Sequence, residues 1–222
     1  MEPTRVGVIG SAGVGRALAA GFASRGHEVT IGTRDPESNE DLQAWAAQHD
    51  NVAIGTFAAA AEAGEIVVLA TRGTAVEEAI QTAGPQRFAG KAVIDATNPL
   101  DFSGGGPALA VGHTDSGGEI VQRAIPDARV VKAFNTVNAG LMADPNLPDG
   151  PHPMFIAGDD EGAKAAVADI LSDFGWKAFD VGGIERAREL ESFVVLWVAI
   201  GQRRGAWDHA FTLVTPSGVA TG

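Results

Sequence analysis

The segment Arg5-Val6-Gly7-Val8-Ile9-Gly10-Ser11-Ala12-Gly13-Val14-Gly15 constrains this chain more than any other stretch. A short apolar run (Val6, Val8, Ile9) breaks at Gly10 and resumes with helical spacing at Val14, Leu18 and Phe22. That sequence of periods reads as a β-strand, a tight turn and the first turns of a helix. Glycines in such a turn let the backbone approach a pyrophosphate, and the unpaired N–H groups of the first helical turn bind it. A second strand over 28–32 ends in Thr33-Arg34. A carboxylate there would hold the ribose hydroxyls of NAD, whereas an arginine accommodates a 2′-phosphate. These residues predict an NADP(H) site. Asp35 lies beyond the strand end, ahead of Pro36, and reads as a turn or capping residue.

Strand and helix signals alternate along almost all of the 222 residues. Helices are predicted over 39–48, 57–63, 74–83, 117–125, 161–174 and 185–201. Strands are predicted over 52–54, 65–70, 92–95, 129–133, 154–157 and 177–181. Continuous apolar runs such as Ile66-Val67-Val68-Leu69 suit a parallel sheet covered on both faces. The fold class is therefore α/β: a Rossmann-type, doubly wound, mostly parallel sheet with a small C-terminal α/β subdomain. The expected division is residues 1–134 for the NADP-binding domain and 135–222 for the subdomain, which carries a long apolar helix. A long loop, 96–112, contains Ser103-Gly104-Gly105-Gly106-Pro107, and reads either as slack or as a lid.

A net charge of −12 argues against nucleic-acid partners. The absence of cysteine excludes disulfides, thiolate nucleophiles and thiolate metal sites, and the absence of tyrosine excludes a tyrosine–lysine proton relay. The five histidines are scattered without helical ligand spacing, so no metal site is expected. The apolar run 193–200 stops at Gln202-Arg203-Arg204, well short of the about 20 residues that span a bilayer. It reads as a buried helix or an oligomer contact in a protein expected in the cytoplasm and off the membrane.

Ligands of open α/β sheets lie beyond the carboxyl ends of the strands. The candidate cofactor-binding residues selected there are Gly10, Ser11, Ala12, Gly13, Val14, Thr33, Arg34, Thr71, Arg72, Asn98, Asn135 and Val137, with Ala139 just beyond. Lys132 ends a strand and reads either as a general acid or as the partner of nearby carboxylates. No other acid, base or nucleophile stands out, so no catalytic residue is assigned. Hydride transfer between two carriers requires none at the reacting carbons; the protein has only to hold the rings face to face. The small residues Val137, Asn138, Ala139 and Gly140 suit a flat second ring.

The same segments resemble the NADPH-dependent coenzyme F420 reductases. The resemblance rests on Ile9–Gly15, Ile31-Gly32-Thr33-Arg34, the run Val130-Val131-Lys132-Ala133-Phe134-Asn135-Thr136-Val137, Ala157-Gly158-Asp159-Asp160 and Ala187-Arg188-Glu189-Leu190-Glu191. The cytoplasmic domain of the six-transmembrane metalloreductases is similar in the same places. The resemblance implies that Ser11, Ala12, Gly13 and Val14 hold the pyrophosphate and that Thr33 and Arg34 hold the 2′-phosphate. It also implies that Val137 and Ala139 meet the nicotinamide carboxamide, that coenzyme F420 is the co-substrate, and that a homodimer buries the C-terminal helix. Some relatives place a further basic residue after the arginine, where this chain has Glu37-Ser38. Two other readings stay open: an NADPH-dependent flavin, ferric, imine or carbonyl reductase, and a non-catalytic NADP-binding regulator.

Overall fold

The computed structural model describes residues 2–148, 150–216 and 218–219. Its main sheet is assembled from β1 (Arg5–Ile9), β2 (Glu28–Thr33), β3 (Val52–Thr56), β4 (Ile66–Leu69) and β5 (Ala92–Asp95). A small hairpin, β6 (Leu100–Asp101) and β7 (Ala108–Leu109), follows before the sheet continues. It is completed by β8 (Arg129–Lys132), β9 (Pro153–Gly158) and β10 (Lys177–Asp180). The order is β10-β9-β8-β5-β4-β1-β2-β3, and every neighbouring pair is parallel except β8 and β9. The chain winds outward from β1 in both directions, so β1 and β4 flank the point where the strand order reverses. Ligand crevices open at such points.

The helices are α1 (Gly13–Ala23), α2 (Glu40–Ala46), α3 (Phe57–Ala63), α4 (Val76–Ala83), α5 (Gly117–Ala124), α6 (Ala139–Met142), α7 (Glu161–Asp173) and α8 (Ala187–Arg204). Side chains alternate across each strand, and both faces of this sheet are covered. Val6 and Val8 of β1, with Val68 of β4, pack beneath Leu18 and Phe22 of α1 and Val167 and Ile170 of α7. Ile9, Val67 and Leu69 point the other way, against Phe57 of α3, Ile80 of α4 and Val121 of α5. Burial on both faces is why these strands read as unbroken apolar runs.

Several boundaries differ from the sequence expectation. The first residues of the helix expected from 74 form a 3-10 turn, Gly73–Ala75, ahead of α4. Another such turn, Ile184–Arg186, precedes α8, which runs past the expected end at 201 to Arg204. Part of the 96–112 loop is the β6–β7 hairpin, whose Leu100 packs against Val194, Trp197 and Val198 of α8. Within residues 135–222, β9 and β10 extend the main sheet beyond β8; residues 220–222 lie outside the described residues. No helix among the described residues is long and apolar enough to cross a membrane.

Candidate functional site

A pocket of about 280 Å³ opens at the carboxyl ends of β1, β2 and β4. Its wall carries Gly10, Ser11 and Ala12 from the β1 turn, Thr33 and Arg34 from the tip of β2, and Ala70, Thr71 and Arg72 from the end of β4. Phe57 of α3 and Ala75, Glu78, Ala79 and Thr82 at and within α4 complete it. Local sequence explains the shape. Gly10 has φ +118°, and a Cβ there would come within 2.6 Å of the Ala70 carbonyl oxygen, so only glycine fits where β1 turns beside β4. Gly13 opens α1, and a Cβ on it would meet nothing within 4 Å, which leaves the helix N-terminus approachable. Ala12 supplies no side-chain cap, so the leading N–H groups of α1 keep their hydrogen-bonding capacity. Arg16 anchors the turn from behind: its Nε donates to the Ser11 carbonyl at 2.9 Å.

The electrostatics favour an anion. Arg34 and Arg72 line the pocket, and neither forms an ion pair or side-chain hydrogen bond among the described residues. Two free guanidinium groups lining one pocket of a chain with net charge −12 are a local cationic field. The Thr71 hydroxyl is buried and makes no hydrogen bond among the described residues. A buried, unpaired hydroxyl costs stability unless a ligand completes it. Asp35 does not join this group. Its carboxylate accepts from the backbone N–H and hydroxyl of Ser38, bonds that hold it below the ordinary carboxylate range. It is a turn residue, while the cap of α2 falls to Asn39, whose side chain accepts from the Leu42 N–H at 3.1 Å.

The remaining expected site residues are not on the wall of this pocket. Gly13 and Val14 form the first turn of α1. Asn98 and Asn135 exchange hydrogen bonds: Asn98 Nδ2 donates to the Asn135 carbonyl at 2.8 Å, and Asn135 Nδ2 donates to Asn98 Oδ1 at 3.1 Å. Asn135 also donates to the Leu190 carbonyl at 2.9 Å, tying the β8 end to α8. Phe134, buried in the core, turns the chain there with a left-handed φ of +63°. Val137 packs into the core, and Ala139 begins α6 behind the Asn138 cap. Asn98 and the residues 134–139 follow the ends of β5 and β8, across the switch point from Arg34.

Lys132 resolves in favour of its carboxylate partners. Its Nζ lies 3.0 Å from Asp95 Oδ2, 2.6 Å from Glu191 Oε1 and 2.6 Å from the Thr97 carbonyl. Burial pulls the lysine pKa down, but the two carboxylates outweigh it, and the ammonium is held above its ordinary value of 10.5. Glu191 also accepts from the N–H groups of Gly117 and Gly118 at 2.8 and 3.0 Å, where α5 begins. Asp95 accepts from the Thr97 N–H and hydroxyl. An ammonium so enclosed is a structural cation and a poor proton donor. Sequence reasoning missed Phe57, Ala75, Glu78, Ala79 and Thr82 on the pocket wall. An available sign was that Ala75, Glu78, Ala79 and Thr82 recur at helical spacing directly after Arg72.

The doubly wound sheet, the glycine turn at its switch point and the arginine at the β2 tip define a Rossmann-type NADP-dependent oxidoreductase. Within that class the chain belongs to the coenzyme F420-dependent NADP oxidoreductase family, whose signature matches residues 5–99. It is 33% identical over 215 residues to the F420-dependent NADP reductase of Methanothermobacter marburgensis, covering 87% of this chain and 91% of that one. A crystal structure from Arthrobacter sp. FB24, of a protein provisionally described as an F420-dependent NADP reductase, superposes with a TM-score of 0.92. That protein is 40% identical, over 96% of this chain and all of the other. The rat Metalloreductase STEAP3 is 29% identical over 193 residues; the match spans 86% of this chain but 36% of that protein's length.

Proposed function

We propose that this protein transfers a hydride between NADP(H) and the deazaflavin coenzyme F420, ring to ring, without a protein acid or base. The observation that carries the cofactor half is the pocket at the switch point, with Arg34 and Arg72 unpaired and the Thr71 hydroxyl buried without a partner. Residues 10–14 cradle the pyrophosphate on backbone N–H groups, and Thr33 and Arg34 hold the 2′-phosphate. Arg72 adds charge, and Thr71 completes its hydrogen bonding on the cofactor. Asn98, Asn135, Val137 and Ala139 border the nicotinamide end. The nicotinamide supplies or accepts the hydride; the chain's own task is to orient two flat rings and exclude water.

The deazaflavin assignment rests on family membership, and the locked state of Lys132 supports chemistry without a protein proton donor. The second subunit of a homodimer covers the exposed side of α8, where Leu196 stands 49% exposed. Mixing the purified protein with NADPH and oxidised F420 tests the reading directly. Loss of the deazaflavin's visible absorbance, with free flavin unchanged beside it, is the expected result. Binding of NADPH with turnover of flavin, ferric iron or an imine instead would reassign the second substrate. Binding with no turnover of any would make the chain a regulator.

A further inference from the structure

The pocket wall holds one group that a phosphate site does not explain. Glu78 lines the same pocket as Arg34 and Arg72, yet its carboxylate forms no hydrogen bond or ion pair among the described residues. Its backbone carbonyl accepts from the Thr82 hydroxyl at 2.8 Å. A free carboxylate beside two cations weakens their hold on an anion unless it meets a donor on the same ligand.

We infer that Glu78 accepts a hydrogen bond from the exocyclic amine of adenine, and so selects the base of the dinucleotide; this rests on the NADP(H) reading above. The 2′-phosphate belongs to the adenosine ribose, so the wall that carries Arg34 is the adenosine end of the site. Ala75 and Ala79 stand four residues apart, at the turn before α4 and within it, and offer a small apolar surface for one face of a flat base. Glu78 and Thr82, likewise four apart, edge that surface with polar groups. An ionised carboxylate can only accept, and the amine at adenine C6 can only donate. The apolar strip therefore takes the ring, and Glu78 reads its amino edge.

The test compares NADP+ with 1,N6-etheno-NADP+, whose exocyclic nitrogen carries no hydrogen, on the parent protein and on Glu78→Ala. Alanine is the strongest helix former, so α4 is retained, and a thermal melt checks the fold. Affinities come from calorimetry and from etheno fluorescence. The variant is expected to bind NADP+ about fivefold more weakly while its affinity for the etheno analogue changes by less than about twofold. An equal change for both ligands would show that Glu78 acts only through its charge, and no change for NADP+ would show that it does not touch the base; either overturns the inference. Failure of the parent protein to bind NADP+ at all would remove the cofactor reading itself.

Discussion

Lys132 Nζ lies 2.6 Å from Glu191 Oε1, and both side chains are completely buried. The pair joins the end of β8 to the second turn of α8, and the same carboxylate caps α5 through Gly117 and Gly118. Removing one member leaves a buried charge without its counter-ion, which costs about 3–5 kcal/mol. Lys132→Met is expected to lose stability on that scale in urea denaturation. Below the temperature at which it unfolds, its single-turnover hydride transfer is expected to stay within about threefold of the parent. A loss of about 100-fold or more in that step would return Lys132 to the reaction and overturn chemistry without a protein acid.

Arg34→Asp reverses the charge at the β2 tip, where the guanidinium has no protein partner among the described residues. A charge-assisted contact to phosphate is lost, and a carboxylate able to hold ribose hydroxyls appears. The ratio of NADP+ to NAD+ affinity is expected to fall by about 10–100-fold. An unchanged ratio would place the 2′-phosphate away from Arg34.

Thr71 separates folding from binding. Its hydroxyl is buried and unpaired in the protein alone, so Thr71→Val removes an unsatisfied polar group while keeping the shape. The ligand-free variant is expected to gain about 1 kcal/mol in chemical denaturation and to bind NADP+ about fivefold more weakly. If both quantities fall together, the hydroxyl serves the fold and not the ligand.

Most of the scaffold was legible locally. The period-2 and period-3.6 signals placed the strands and helices; the glycine turn, Arg34 and the carboxyl ends of the strands together pointed to seven of the pocket residues: Gly10, Ser11, Ala12, Thr33, Arg34, Thr71 and Arg72. What stayed hidden depends on pairing across the chain. Lys132 meets Asp95 and Glu191 at sequence separations of 37 and 59, and no local pattern announces such a triad. A charged residue on the buried face of α8, between Leu190 and Val194, was the one sign of it. Glu78 falls within the helix expected over 74–83, and nothing in its local sequence shows that it lines the pocket with Arg34. The antiparallel setting of β9 was equally invisible, since strand direction is set by topology and not by composition.

His27 makes stability depend on pH. The ring is almost wholly buried, accepts the Thr4 N–H at Nδ1 over 3.1 Å, and meets Phe22 edge-on. Burial pushes its pKa below the ordinary 6.5, against the opposing attraction of Asp173. The unfolded chain therefore takes up a proton more readily than the folded one. The contribution is complete above pH 6.5 and is lost as pH falls through the depressed folded value. His27→Leu is expected to melt lower at about pH 7.5, and to show a smaller further drop at about pH 5.5 than the parent does. An equal drop in both proteins would assign the acid sensitivity to the carboxylates.

Leu196 tests the helix that the sequence left as either core or interface. Within α8, Leu190, Val194, Trp197 and Val198 are buried against the body of the protein, while Leu196 faces outward at 49% exposure. A charge there meets water in a single subunit but apolar surface in a dimer built on this face. Leu196→Glu is expected to sediment as a monomer at concentrations where the parent is dimeric. The folding stability of that monomer should match a parent monomer obtained by dilution to within about 0.5 kcal/mol, because a solvent-facing position contributes little to packing. A variant that remains dimeric would move the interface off α8. One that fails to fold as a monomer would show that the helix needs its partner to be stable.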